Sequence, residues 1–271
     1  MFEREIREQI IEAGRRLYQK GFVASNDGNI SARVDDQTLI ITPTGVCKGD
    51  LLPEQLLKVN FAGEVVSGDL KPTSEMKMHL AVYHKRPDAA AIVHAHPPKA
   101  TAFAVARQPL DKLTLPEVIF GLGSIALAEY GTPSTEQVPQ AVEKVVGGCD
   151  AVLLSNHGAL TVGSSVMDAY FKMETLEHFA AITINARQIG GERELDAEEE
   201  KELFRIRSEV FGKKGSELCT GCGACENGPG AVLDRIPDCV YAAQKDAHND
   251  PANINRLISE ITTRVIGEIN K

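Results

Sequence analysis

Basic charge is scarce in this 271-residue chain, where 29 lysines and arginines face 38 aspartates and glutamates for a formal net charge of −9. Nothing in that balance resembles the positive footprint with which proteins hold nucleic acid, so that class of partner is excluded. Long apolar runs are missing too, and no stretch approaches the roughly 20 residues a membrane helix needs. The N-terminal segment MFEREIREQIIEAGRRLYQKG carries acids throughout, unlike the basic and then apolar plan of a signal peptide. The expectation is a cytoplasmic protein with neither a membrane nor a nucleic-acid partner. A disulfide framework is also absent. Cys47 and Cys149 are isolated, the other four cysteines share one short segment, and a cytosolic chain keeps its thiols reduced.

What remains is an ordinary globular balance, 43% hydrophobic and 25% charged, enough for one main domain with an appendage. The N-terminal segment reads as an amphipathic helix ending near Lys20-Gly21. Short strands and turns follow in SNDGNISARV, TLIITPTG and LLKVNFAGEVVSGD, the last folding back at Ala62-Gly63. A helix over SEMKMHLAVYHKRP is entered through Thr73 and Ser74 as capping residues and stopped by Pro87. A strand AIVHAH, a helix from Pro98 to about Ala106, LPEVIF, IALAEYG, a helix near 134–146 and the strand AVLLSNHG come next. A long helix then runs from about Val166 to Ile189, with Phe171, Leu176, Phe179 and Ile182 facing inward. The acidic run ERELDAEEEKE reads as a solvated helix face. The whole is a layered α/β domain over residues 1–212.

Residues 213–249 break this composition. GKKGSELCTGCGACENGPG is too rich in glycine and cysteine for a helix or strand, and reads as a linker or a metal knuckle. Cys219, Cys222 and Cys225 have the spacing of ferredoxin-like iron–sulfur ligands. Pro229 stands where the usual fourth cysteine would be, leaving Cys239 to supply it. An iron–sulfur cluster, a second, structural zinc and no metal at all are the three readings. Residues 250–271 form a final amphipathic helix, with Asp250 as N-cap, Pro251 at the first position and an apolar stripe of Ile254, Leu257, Ile258, Ile261, Val265, Ile266 and Ile269.

Two strand ends carry imidazoles. In AIVHAHPP the apolar run delivers His94 and His96, whose spacing of two sends both to one face, and AVLLSNHG delivers His157 to the end of another strand beside a glycine. A catalytic zinc site takes three protein ligands and keeps a fourth position open, so these three histidines form a candidate site. The alternative is three satisfied core imidazoles. For His79, His84, His178 and His248, in helical or polar contexts, a core or surface placement is expected. Three small-residue turns, DGNIS at 27–31, TPTG at 42–45 and PTSE at 72–75, offer the backbone N–H groups and hydroxyls that hold a phosphate. Glu75 adds a carboxylate directly after the last of them.

The ordered set GNIS, TPTG, TSE, HAH and NHG resembles the class II aldolase/adducin family over about residues 5–212, within it most closely the L-fuculose-1-phosphate aldolases and their relatives. The resemblance implies a three-layer α/β/α fold around a largely antiparallel mixed sheet, as a homotetramer with sites at subunit interfaces. It places zinc on His94, His96 and His157, makes Glu75 both the acid/base and a ligand of the resting metal, and seats the phosphate on Gly28, Asn29, Thr44, Gly45, Thr73 and Ser74. The implied reaction is cleavage of a deoxyketose 1-phosphate, of the L-fuculose or L-rhamnulose type, to dihydroxyacetone phosphate and an aldehyde such as lactaldehyde. The last helix resembles the encapsulation peptides of bacterial microcompartment cargo, which implies a shell-protein partner for residues 250–271; docking on its own domain is the other reading.

The chain departs from the family's pattern in one respect. Fuculose-phosphate aldolases handle the proton on the C4 oxygen with two tyrosines, and Phe120 and Phe211 stand at those places here. Phenylalanine has no hydroxyl, so either another group such as Tyr130 acts or the substrate differs, a rhamnulose phosphate or a five-carbon deoxyketose phosphate included. Epimerases of the family typically carry Asp where Glu75 stands. Dehydratases and decarboxylases retain the histidines, and the aldolase is expected to differ from them by releasing a triose phosphate. A noncatalytic, adducin-like binding domain would have lost the zinc ligands that are all present here.

Overall fold

In the computed structural model, residues 2–211 are described; the expectations for the cysteine segment (Cys219, Cys222, Cys225, Cys239) and for the helix at 250–271 fall outside them. Helix α1 spans Glu3–Gln19 and buries Ile6, Ile10, Ala13 and Leu17, one stripe at helical spacing. Strands β1 (Asn29–Arg33), β2 (Thr38–Ile41), β3 (Leu57–Asn60) and β4 (Val65–Ser67) follow, then helix α2 (Met76–Lys85), strand β5 (Ala91–Ala95), helix α3 (Pro98–Ala106) and helix α4 (Pro116–Gly121). Strand β6 (Ile125–Ala128), helix α5 (Gln137–Glu143), strands β7 (Ala151–Leu154) and β8 (Gly158–Gly163), and helices α6 (Val166–Gln188) and α7 (Ala197–Phe211) complete the described chain.

The eight strands form one sheet in the order β4-β3-β2-β1-β5-β8-β7-β6. Every pairing is antiparallel except β6 with β7. Strand period two divides the apolar residues between two cores. Ile30, Ala32, Val93 and Ala95 pack with α1, α3 and α6 on one face, while Leu39, Ile41, Ile92 and Val162 pack with α2 and α5 on the other. This is the three-layer α/β/α arrangement around a mixed, largely antiparallel sheet. Strand β8, whose GALTVG follows His157, is buried along its whole length and had no counterpart in the sequence reading.

Three local expectations need correction. Phe171 is 48% exposed, because its position on α6 turns away from the stripe that buries Leu176 and Phe179. The residue at the N-cap of α2 is Glu75, not Thr73 or Ser74; the Thr73 hydroxyl instead accepts the backbone N–H of Glu75 at 3.3 Å. The acidic run is only partly helical, since α7 begins at Ala197 and Glu192–Asp196 precede it.

Candidate metal centre and phosphate rim

Four segments far apart in sequence converge at one end of the sheet. His94 is the last residue but one of the buried strand β5 and lies directly across the ladder from Asn29, the first residue of β1. His96 follows the strand's end, where its backbone N–H donates to Phe22 O at 2.8 Å. His157 sits in the tight connection from β7 to β8. That turn runs through Asn156 in the left-handed region (φ 57°), a conformation asparagine tolerates. The Asn156 carboxamide oxygen accepts from Arg107 Nε at 2.9 Å and its backbone N–H donates to Ala104 O at 3.0 Å, which ties the turn to the end of α3.

The three imidazoles bring their ligand atoms within 4.8 Å of one another. His94 donates Nδ1–H to Ala159 O at 2.9 Å, which leaves Nε2 bare and aimed inward. His96 Nε2 lies 3.2 Å from it. Two ring nitrogens at that separation match two ligands of one tetrahedral ion with bonds of about 2.0–2.1 Å. Asp27, in the DGN turn, faces His96 Nδ1 at 3.4 Å and so favours the Nε2 lone pair on the metal side. Glu75 completes the group, with Oε2 3.1 Å from His94 Nε2 and Oε1 3.3 Å from His157 Nε2. Its Oε1 and His157 Nδ1 are both buried without a hydrogen-bond partner. Lone pairs converging on one point beside an unpaired carboxylate oxygen are the donor set of a divalent cation, and the residues fit one.

Electrostatics agree with the geometry. Burial would raise the Glu75 pKa, but His94 and His157 beside it outweigh burial and hold the carboxyl well below its usual range. Burial likewise opposes the charged form of His94, yet the Glu75 carboxylate prevails and raises its proton affinity. His157 is pushed down to about 4 by burial and then by His94, and His96 is lowered by the same two causes. His79, fully buried, falls to about 3, again through burial first. These shifts set the sign of a pH dependence. Depressed imidazoles bind fewer protons in the folded than in the unfolded chain, so each costs stability as pH falls below about 6.5. His94 works in the opposite sense, but three outnumber one. Metal-free protein is therefore expected to lose stability from pH 6.5 toward pH 4, at up to about 1.4 kcal/mol per pH unit for each uncompensated imidazole. Denaturant melts at pH 7, 6 and 5 check this; a midpoint that rises on acidification contradicts it.

The three turns also meet. Ile30 N donates to Thr42 Oγ1 at 3.1 Å, Thr73 N donates to Thr42 O at 3.2 Å, and Pro43 bridges Pro72. Gly28, Asn29, Thr44, Gly45, Thr73 and Ser74 thus lie along one rim next to Glu75. Asn29 is buried, and its amide Nδ2 donates to Glu75 Oε2 at 2.9 Å, linking rim to centre. Of the other candidates, Phe120 lies on α4 and Tyr130, two residues past β6, is 50% exposed. Sequence reasoning missed Asp27, Ser31, His79 and Tyr83. The signal was present as polar residues at every second position of β1 and every fourth of α2.

Glycine at 158 is a steric requirement of the centre. A Cβ there would lie 2.5 Å from His96 Cδ2 and 2.6 Å from Ala95 O, and the carbonyl belongs to the β5–β8 ladder and cannot yield. Gly158→Ala is expected to displace His96 and weaken metal binding about 10-fold or more, by analogy with loss of a group that orients a ligand. Competition with a chelator of known affinity measures it.

Known proteins are similar to this chain. Over 185 residues the chain is 35% identical to 3-oxo-tetronate 4-phosphate decarboxylase of Escherichia coli strain K12, covering 66% of this chain and 86% of that protein. Over 209 residues it is 32% identical to 5-deoxy-D-ribulose 1-phosphate aldolase of Bacillus thuringiensis serovar kurstaki, covering 77% and 97%. A solved L-fuculose 1-phosphate aldolase superposes with a TM-score of 0.71 at 29% identity, covering 79% of this chain and 99% of that one. Residues 8–184, which hold the histidine centre, Glu75 and the rim, match one domain family, and the chain belongs to it: the class II aldolase and adducin N-terminal domain family.

Proposed function

We propose that the protein is a zinc-dependent lyase that reversibly cleaves a deoxyketose 1-phosphate, of the L-fuculose or L-rhamnulose type, to dihydroxyacetone phosphate and an aldehyde such as lactaldehyde. The observation that carries this reading is the Glu75 carboxylate, set between two imidazoles of a three-histidine centre and beside the three joined turns. His94, His96 and His157 would hold zinc, with Glu75 as a further ligand at rest. Bound zinc would supply Lewis acidity toward the substrate carbonyl and the negative charge that develops as the carbon–carbon bond breaks. The rim residues Gly28, Asn29, Thr44, Gly45, Thr73 and Ser74 fix the phosphate and thereby the reacting carbons. Asn29 gives one amide hydrogen to Glu75 and keeps a second for this role. Glu75, held ionised, moves the proton at C3.

A second reading is favoured by Phe120. Aldol cleavage needs a group to take the C4 hydroxyl proton, and phenylalanine has none to offer. Loss of CO2 from a phosphorylated 3-oxo acid has no hydroxyl proton to remove and needs one proton at the carbon that loses CO2, which the Glu75 carboxylate would take up from solvent and pass on; one relative at 35% identity is a decarboxylase of that kind. Both reactions leave dihydroxyacetone phosphate, so the expectation that a triose phosphate marks the aldolase is corrected: the co-product decides. Zinc-loaded protein should be assayed with L-fuculose 1-phosphate, L-rhamnulose 1-phosphate, 5-deoxyribulose 1-phosphate and 3-oxo-tetronate 4-phosphate, following aldehyde and CO2. Aldehyde release supports the aldolase, CO2 assigns the decarboxylase, and neither overturns both. A noncatalytic adducin-like role is disfavoured by the convergence of all four side chains. The proposal keeps the homotetramer, and keeps residues 250–271 as a ligand for microcompartment shell protein, on their apolar stripe alone.

A further inference from the structure

Behind Glu75 runs a chain of buried polar side chains that the metal centre does not use. Glu75, His79 and Tyr83 recur every four residues on the N-terminal side and along α2, a rise of about 6 Å each. Asn29 and Ser31 recur every two residues on β1, a rise of about 6.8 Å. The two repeats match closely enough to interleave. Asn29 Nδ2 donates to Glu75 Oε2 at 2.9 Å, Asn29 Oδ1 meets His79 Nε2 at 2.5 Å, His79 Nδ1 meets Ser31 Oγ at 2.6 Å, and Ser31 Oγ meets the Tyr83 hydroxyl at 3.0 Å. His79 and Ser31 are fully buried, and Asn29 and Tyr83 are 3% and 2% exposed.

The polarity of this chain is fixed by elimination. An ionised carboxylate only accepts, so the amide NH2 of Asn29 faces Glu75 and its carbonyl faces His79. That carbonyl also only accepts, so His79 carries its proton on Nε2. His79 Nδ1 is then bare and takes the Ser31 hydroxyl hydrogen, which leaves Tyr83 to donate to Ser31. With His79 neutral, the form its burial favours, all four hydrogen bonds point toward Glu75. Burying four polar groups in the α2 face of a central strand costs stability relative to apolar residues of like volume. Their satisfied, one-directional order therefore points to the site rather than to the core.

We propose that His79 is a positioning residue: it locks the amide orientation of Asn29, and through it holds the Glu75 carboxylate at the angle required to move the substrate proton. A flipped Asn29 would present its carbonyl to a carboxylate and release Glu75 from β1. This inference rests on the proposed acid–base role of Glu75, but its spectroscopic test does not. In zinc-loaded full-length protein carrying 15N-labelled histidine, His79 is expected as the Nε2–H tautomer between pH 5 and pH 8; the Nδ1–H tautomer overturns the proposal, whatever the activity. His79→Phe keeps a planar aromatic ring but cannot donate to Asn29. It should lower kcat about 10–100-fold, the usual effect of losing a group behind a metal site, with KM and zinc content within about 3-fold of the parent. His79→Gln restores a donor toward Asn29 and should recover most of that loss. Tyr83→Phe removes only the far end of the chain and should fall between the two. A folded His79→Phe protein with unchanged kcat, or His79→Gln and His79→Phe equally impaired with zinc lost, would make His79 merely structural.

Discussion

His94→Ala is expected to remove bound metal and lyase activity together. The residue is fully buried, its ring orientation is set by the bond from Nδ1 to Ala159 O, and Nε2 lies within 3.2 Å of both His96 and Glu75. Alanine deletes one of three nitrogen donors and takes away the neighbour that most strongly holds Glu75 ionised against its burial. Two imidazoles and a carboxylate remain, but they no longer surround a point. A metal that stabilises developing charge is worth several kcal/mol of barrier, and each 1.36 kcal/mol is tenfold, so kcat/KM should fall by on the order of 10³ or more. His157→Ala serves as a companion because its side chain is 14% exposed and leaves a smaller cavity. Metal analysis of the purified variants, with circular dichroism to establish folding, checks the expectation. Full zinc occupancy in both folded variants would remove the three-histidine assignment.

Glu75→Gln should separate binding from chemistry. Glutamine has the same shape, its carbonyl can still accept from Asn29 Nδ2, and its NH2 group can face an imidazole nitrogen, so metal and phosphate binding should survive within a few-fold. Glutamine has no carboxylate to accept a proton. General acid–base catalysis contributes typically about 10²–10⁴, and a loss of that size is expected in kcat with KM little changed. The sharpest measurement is the exchange of the C3 hydrogen of dihydroxyacetone phosphate into deuterated water. That half-reaction is common to aldol cleavage and to decarboxylation, so the result does not depend on which is the full reaction. Undiminished exchange in a zinc-loaded Glu75→Gln protein would assign the proton transfer to another group.

Much of this site could be read from the chain because its parts are local. A strand's period of two puts His94 and His96 near each other whatever surrounds them, and glycine at 28, with φ 73°, marks a turn that few other residues adopt. Asn156-His157-Gly158 announces a tight connection, and the apolar stripe of α1 announces its buried face. Local rules also failed where packing from outside decides. The long helix α6 is apolar on more than one side, so its periodicity alone did not say that Phe171 faces outward while Tyr170 is fully buried. The start of α2 was read one or two residues early, because a hydroxyl that caps a backbone N–H can stand just before the helix rather than at its first boundary.

The sequence by itself determined the strand-end imidazoles, the glycine turns and the carboxylate next to a hydroxyl pair, since each follows from bonds and dihedral angles within a few residues. Only the tertiary structure decided that Asn29, Glu75, His94 and His157 meet, through pairs separated by 46 residues for Asn29 with Glu75 and 65 for His94 with Ala159. It also turned His79, expected only at a core or surface position, into the middle of an ordered chain of hydrogen bonds. The physical reason is that a buried polar side chain must find a partner to offset its lost hydration, and the partner is named by the register of β1 against β5 and the seating of α2 on the sheet, which no local pattern records.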